Sequence, residues 1–184
     1  MRYFVGFFVT IFLIILIIVL LLRGGGTATP APKAINLGDY ANNVSSAQLI
    51  LDSPIVADQN HREIKLIVSE SAITFTEYKG YQQDVIKSQT YPNNPSSYGV
   101  FLQAIQKAGF TEGSRDKALQ DERGYCPGGY RYIYSFANGA DDLFRTWSTS
   151  CGSQGTFKGQ PSTIRQLFQK QVPDYFKLSS DFNI

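Results

Sequence analysis

The sequence predicts an α+β fold: an N-terminal transmembrane helix, then a small antiparallel sheet with two packed helices and a disulfide-closed hairpin. Three observations predict it. Residues 3–22, "YFVGFFVTIFLIILIIVLLL", carry no charge. Stretches of period-two alternation, or dense in β-branched and aromatic residues, follow one another from about residue 47 to residue 78. Two amphipathic helical stripes then flank a segment with a cysteine near each end. The division expected is an anchor over 1–23, a flexible Gly/Pro linker over 24–35 and an extracytoplasmic domain over 36–184.

The anchor is read from length. Twenty helical residues at ~1.5 Å rise span roughly 30 Å, the thickness of bilayer hydrocarbon. Arg23 follows at once, as a stop at the interface would. A cleaved signal peptide is the alternative, with Gly26-x-Ala28 as a small-x-small site. Basic residues flank both ends, so charge alone does not orient the helix. The near-absent N-terminal tail and a disulfide-bearing domain favour a cytoplasmic N-terminus with the domain outside the cell membrane. The bilayer is thus the first expected partner, through residues 3–22. The linker reads "GGGTATPAPK" over residues 24–33, glycine for flexibility and proline against regular structure.

The strands come next. Ala47–Val56 is apolar, with Pro54 marking a bend or edge. Arg62–Ser69 alternates, with Ile64, Leu66 and Val68 against Glu63 and Lys65. Ser71–Tyr78 is rich in β-branched and aromatic residues. The turn-forming residues between them predict an antiparallel meander. A helix follows, with Asn94 as N-cap, Pro95 in the first position and Gly109 as the left-handed stop. Tyr98, Phe101, Leu102 and Ile105 form its apolar stripe. A second helix is expected from about Pro161 to Val172, with Ile164, Leu167 and Phe168 inward and Pro173 ending it. The polar stretch Thr111–Gly124 reads as a loop or short helical turn.

The cysteine segment, Tyr125–Gly152, has Asn138-Gly139 near its middle. Taken as a two-residue turn, that pair sets a register. Phe136 then faces Asp141, Tyr134 faces Leu143, Tyr132 faces Arg145 and Tyr130 faces Trp147. Cys126 falls opposite Cys151, close enough to be bridged. This register puts Tyr130, Tyr132, Tyr134, Arg145 and Trp147 on one face. Core packing under a helix is the expected role of that face, and a sugar- or partner-binding platform is the alternative.

Composition narrows the function. Between Ala34 and Ile184 there are 14 Lys plus Arg and 15 Asp plus Glu, a net charge of −1, with no basic run to neutralise phosphates. Nucleic acid is not expected as a partner. The one histidine, His61, reads as a solvated loop residue, and no Gly-x-Ser-x-Gly elbow accompanies it. Asp121-Glu122 and Asp141-Asp142 are adjacent carboxylates that point apart and read as ordinary loop charges. One histidine and two cysteines do not make a metal cluster, and no cofactor is expected.

"YCPGGYRYIY", "TWSTSCG" and "LFQKQVPDYF" resemble segments of uncharacterised single-span surface proteins of small-genome candidate-phylum bacteria, over most of the chain from about Asp52. That resemblance implies an extracytoplasmic bacterial setting and brings no activity and no site residues. An apolar helix before an α+β head with a late disulfide is also similar in plan to type IV pilins. The pattern departs from them: the fifth residue after Gly6 is Ile11 rather than glutamate, and Gly24-Gly25-Gly26 interrupts the helix. The expected role is non-catalytic, either envelope organisation or the binding of a protein or glycan. An anchored cell-wall hydrolase is the alternative, and a pilin-like subunit ranks below both.

Overall fold

The computed structural model describes residues 2–23, 35–81, 83–152 and 154–182. The chain divides into two units, Met1–Ala34 and Ile35–Ile184. In the first, α1 (Arg2–Arg23) covers the uncharged run. The linker expected over 24–35 lies almost wholly outside the described residues. Among the described residues no helix is long and apolar enough to cross a membrane. The described side chains of α1 are those of residues 4, 6–8 and 11–19.

The second unit is built on β1 (Ser45–Asp52), β2 (Arg62–Ser69), β3 (Ala72–Lys79), β4 (Asp84–Pro92), β5 (Arg131–Asn138) and β6 (Asp141–Thr149). All neighbours pair antiparallel, in the order β4-β3-β2-β1-β5-β6. The predicted meander is thus β1 to β3, with two differences. The first strand ends at Asp52, before Ser53-Pro54. A fourth strand, β4, adds the open edge; it is half-exposed to exposed along its whole length, so no alternation marks it in sequence.

Alternation decides the core. Ala47, Leu49 and Leu51 on β1 line up in turn with Val68, Leu66 and Ile64 on β2 and with Phe136, Tyr134 and Tyr132 on β5. All nine are buried. Over this face pack α2 (Pro95–Lys107) and α3 (Pro161–Gln169), with a short α4 (Tyr175–Leu178) after them. The α2 cap is as the sequence predicts: Asn94 Oδ1 accepts from Ser97 N–H at 2.9 Å, and Tyr98, Phe101, Leu102 and Ile105 are buried. Gly109 closes it at φ +79°. On α3, Ile164 and Phe168 are buried while Leu167 is only partly covered.

The hairpin β5–β6 corrects the expected register. Asn138 does not turn; it pairs with Asp141, and Gly139 at φ +63° opens the two-residue connection. The reason lies outside the hairpin. β1 pairs along β5 as far as Ser45 with Asn138, and Gly139 N–H donates to Val44 O at 2.8 Å, so the ladder holds Asn138 extended. A bulge between Phe136 and Ala137 then absorbs one residue. Tyr132 therefore faces Ser148, Tyr134 faces Thr146, Phe136 faces Phe144, and Ile133 faces Trp147.

The sequence-derived disulfide is present between Cys126 and Cys151, with Cα atoms 5.6 Å apart. It does not arise as a ladder rung, since the ladder ends at Arg131 with Thr149. Instead Gly129 N–H donates to Cys126 O in a tight turn that brings Cys126 back over the strand end. A Cβ on Gly129 would lie 2.5 Å from Cys126 Sγ and from Ser150 Oγ, which makes this glycine a requirement of the bridge.

Candidate functional site

The site is built from the outer face of α3 and the chain that follows it. Pro161 starts the helix, and Ile164 and Phe168 hold it to the core. Phe168 meets Phe101 edge-on at 5.1 Å and lies 5.8 Å from Phe110. With that stripe inward, Ser162 and Gln166 are exposed, and Arg165 and Gln169 stand half-buried on the flank of the helix. The chain then ends its helix, and Asp174 adopts a left-handed φ of +55° that leads into α4. Tyr175 goes inward against Phe75, at 6.1 Å. Its neighbour Phe176 goes outward and is 81 % exposed. Further contacts fix this segment to the sheet. Tyr91 donates to Pro173 O at 3.3 Å, and Lys87 Nζ donates to Leu178 O at 2.7 Å. Phe182 is buried against Tyr130.

The result is a cleft of about 550 Å³ between α3 and the C-terminal segment. Its walls are Ser162, Arg165, Gln166 and Gln169 on one side and Phe176, Ser179, Ser180 and Phe182 on the other. A second recess of about 510 Å³ continues past Phe176 toward Lys170, Val172 and Asp174. Among the described residues no carboxylate lines the first cleft. Arg165 lies with its guanidinium 4.2 Å from the centroid of the Tyr132 ring. No carboxylate among the described residues is within ion-pair distance of it. Below, Tyr134 and Tyr175 are buried, and burial raises both phenols, Tyr134 to about 12. They stay neutral at physiological pH and leave Arg165 the sole charged group among the described residues that line the cleft.

The residues singled out in sequence are divided rather than joined. Tyr132 and Tyr134 are core, under α3. Trp147 and Arg145 project from the opposite face, because the bulge changes the parity of the pairing. There the polar stretch Thr111–Gly124 covers them. Trp147 is 3 % exposed, donates Nε1–H to Leu119 O at 2.8 Å and packs on Tyr125. Arg145 pairs with Glu122 and donates to Gln120 O. Only Tyr130 keeps partial exposure among the three tyrosines. A platform composed of Tyr130, Tyr132, Tyr134, Arg145 and Trp147 is therefore not presented to solvent.

His61 also differs from expectation: it is buried, not solvated. The pairing of β1 with β2 folds the loop before His61 against the sheet end. Its Nε2 lies 2.8 Å from Asp52 Oδ1, and its ring stacks on Tyr81 at 4.1 Å. Asp52 Oδ2 accepts from Arg131 Nε at 2.7 Å, and Arg131 also donates to Ser53 O. Next to them Glu63 accepts two hydrogen bonds from Gln83, at 2.9 and 3.0 Å, while burial raises its carboxyl above the usual range. The nearby hydroxyl of Ser53 accepts from Arg62 N–H and is not engaged by the imidazole. This cluster ties β1, β2 and β5 together and brings no nucleophile to the histidine.

The adjacent carboxylates take separate partners. Asp121 chelates Arg123, whose hydrogen bonds hold its carboxyl down to about 2, while Glu122 goes to Arg145. Asp141 and Asp142 are exposed at the hairpin end. The α3 cleft itself escaped the sequence reading. Its polar walls match no motif, and the one signal was Tyr175-Phe176, adjacent aromatics of which a turn of helix can bury only one. No family model matches the chain, and no curated protein is significantly similar to it.

Proposed function

We propose that this chain is a single-span protein of the cell membrane, with a cytoplasmic N-terminus and a non-catalytic domain outside, whose α3 cleft binds a protein or glycan of the envelope. The observation that carries the reading is Phe176. It is 81 % exposed at the rim of a cleft whose described residues include one guanidinium, with no ion-pair partner among them, and no carboxylate. A large ring exposed at the rim of a recess offers contact area to a ligand that enters it. Hydrolysis of glycans ordinarily uses two carboxyl groups converging on one bond, and the described residues of this cleft supply none. The anchor is supported by the uncharged run 3–22 and by the α1 helix that covers it. The outside location is supported by the disulfide.

The test is made in intact cells with the full chain carrying a photo-crosslinking residue at position 176. Crosslinks to an envelope protein or glycan are expected, and they should be lost when the crosslinker is moved to Lys158. Protease added to spheroplasts should remove the domain, and the purified chain should retain its N-terminal segment. A secreted form that begins near Thr29, or an absence of crosslinks from position 176, overturns the proposal.

A further inference from the structure

We infer that the α3 cleft takes a carboxylated sugar chain, with Arg165 receiving the carboxylate and Phe176 a sugar face. The inference rests on the binding role proposed for this cleft and names its ligand class. Charge is the first argument. Arg165 is the only ionised side chain among the described residues lining the cleft, and no carboxylate of the described residues pairs with it. A guanidinium left without a counter-ion in a recess is a site for a planar monoanion, which its fork meets with two parallel hydrogen bonds. It is also held in place. The ring of Tyr132 beneath it belongs to β5 and is buried, so little rotamer freedom remains to be lost on binding.

The uncharged walls give the second argument. Gln166, Gln169 and Ser180 offer amide and hydroxyl groups that both donate and accept, as a ligand with many hydroxyls requires. Phe176 adds a flat apolar surface at the rim, suited to the C–H face of a pyranose ring. Peptides are recognised through a sheet edge or through apolar pockets for side chains, and the described walls of this cleft include no strand residue. Phosphate and sulfate groups are taken by clusters of cations, and the described residues of this cleft include one. The cleft of about 550 Å³ lies within the ~300–1,000 Å³ usual for small-ligand sites.

The experiment is calorimetric titration of the full-length chain in detergent micelles. The probes are a short oligogalacturonate, its methyl ester, a neutral glucan of equal length and sulfated dextran. Binding of the oligogalacturonate alone is expected. R165Q should weaken it at least tenfold, and F176A should weaken it with circular dichroism unchanged. The methyl ester removes the ligand's charge without touching the protein, so it reads the Arg165 contact even if R165Q unfolds. Equal binding of the ester, the neutral glucan or sulfated dextran overturns the inference, as does no binding of the oligogalacturonate. Crosslinks from position 176 that persist in those cases leave the cleft's binding role standing, and their loss removes both.

Discussion

Removing Lys87 should destabilise the domain far more than removing its partner Glu77. The two stand opposite each other across β3 and β4, just before the bulge that follows Glu77. Glu77 points into the helix-covered side and is fully buried. Neither of its carboxylate oxygens accepts a hydrogen bond in the structure, and Lys87 Nζ at 3.4 Å is its one compensating charge. Lys87 is better provided for: part of its side chain reaches solvent, Leu178 O accepts from it at 2.7 Å, and Asp181 lies 3.6 Å away. At 3.4 Å and an effective dielectric constant of about 20, the attraction is about 5 kcal/mol. Solvent at the lysine end reduces it.

Breaking a buried pair from one side costs ~3–5 kcal/mol, because the remaining charge stays buried. K87M leaves that charge on Glu77 and is expected to cost about 3 kcal/mol. E77M leaves a lysine with water and a carbonyl, and should cost less than about 1.5 kcal/mol. The double variant replaces both charges with apolar atoms of similar length and should recover most of the K87M loss, as apolar replacements of buried pairs do. Urea unfolding followed by circular dichroism measures all four corners of the cycle, and a coupling of at least about 2 kcal/mol is expected. K87M within about 1 kcal/mol of the parent, or a double variant as damaged as the sum of the singles, would refute the reasoning.

Two further outcomes follow from the packing. Trp147→Ala should cost ~3–5 kcal/mol as a fully enclosed aromatic. Trp147→Phe keeps the ring contacts and should cost about 1–2 kcal/mol, chiefly the bond to Leu119 O; acrylamide should quench the native tryptophan poorly, and strong quenching would contradict the enclosure. Glu63 sets a pH dependence whose sign is fixed by its raised carboxyl. Burial, the main cause, makes the folded state hold the proton more tightly than the unfolded chain, whose ordinary value is 4.5. Its contribution is thus fully present below about 4.5 and is lost as pH rises from there through the folded value. Glu63→Gln should flatten that slope in urea midpoints recorded from pH 4 to 7, and an unchanged slope would count against it.

How much could be read from sequence depended on whether local signals and tertiary pairing agreed. β2 and α2 were legible to the residue, because β2 is half-buried and alternates and α2 carries its own cap and stop. β4 was not legible, since an edge strand wet on both sides needs no apolar period. The cysteine pair was legible from proximity to the hairpin ends, although the turn at Gly129 rather than a ladder rung makes the bridge. The cleft was illegible for another reason: it depends on how the chain after α3 returns to the sheet, and no local pattern encodes that return.

The hairpin shows how one unread contact redirects a functional reading. Asn138-Gly139 is a strong turn signal in isolation. Here β1 continues along β5 to Asn138 and moves the turn onward. With the bulge at Phe136/Ala137, Trp147 and Arg145 exchange faces with Phe144 and Thr146. The set of five residues that looked like one surface becomes two interiors, one beneath α3 and one beneath the Thr111–Gly124 loop. The tyrosines are not thereby removed from function. Tyr132, buried on β5, is the plate on which Arg165 rests. Through Tyr132 the sheet positions the Arg165 guanidinium, while the exposed aromatic the binding role requires comes from Phe176, a residue that neither strand supplies.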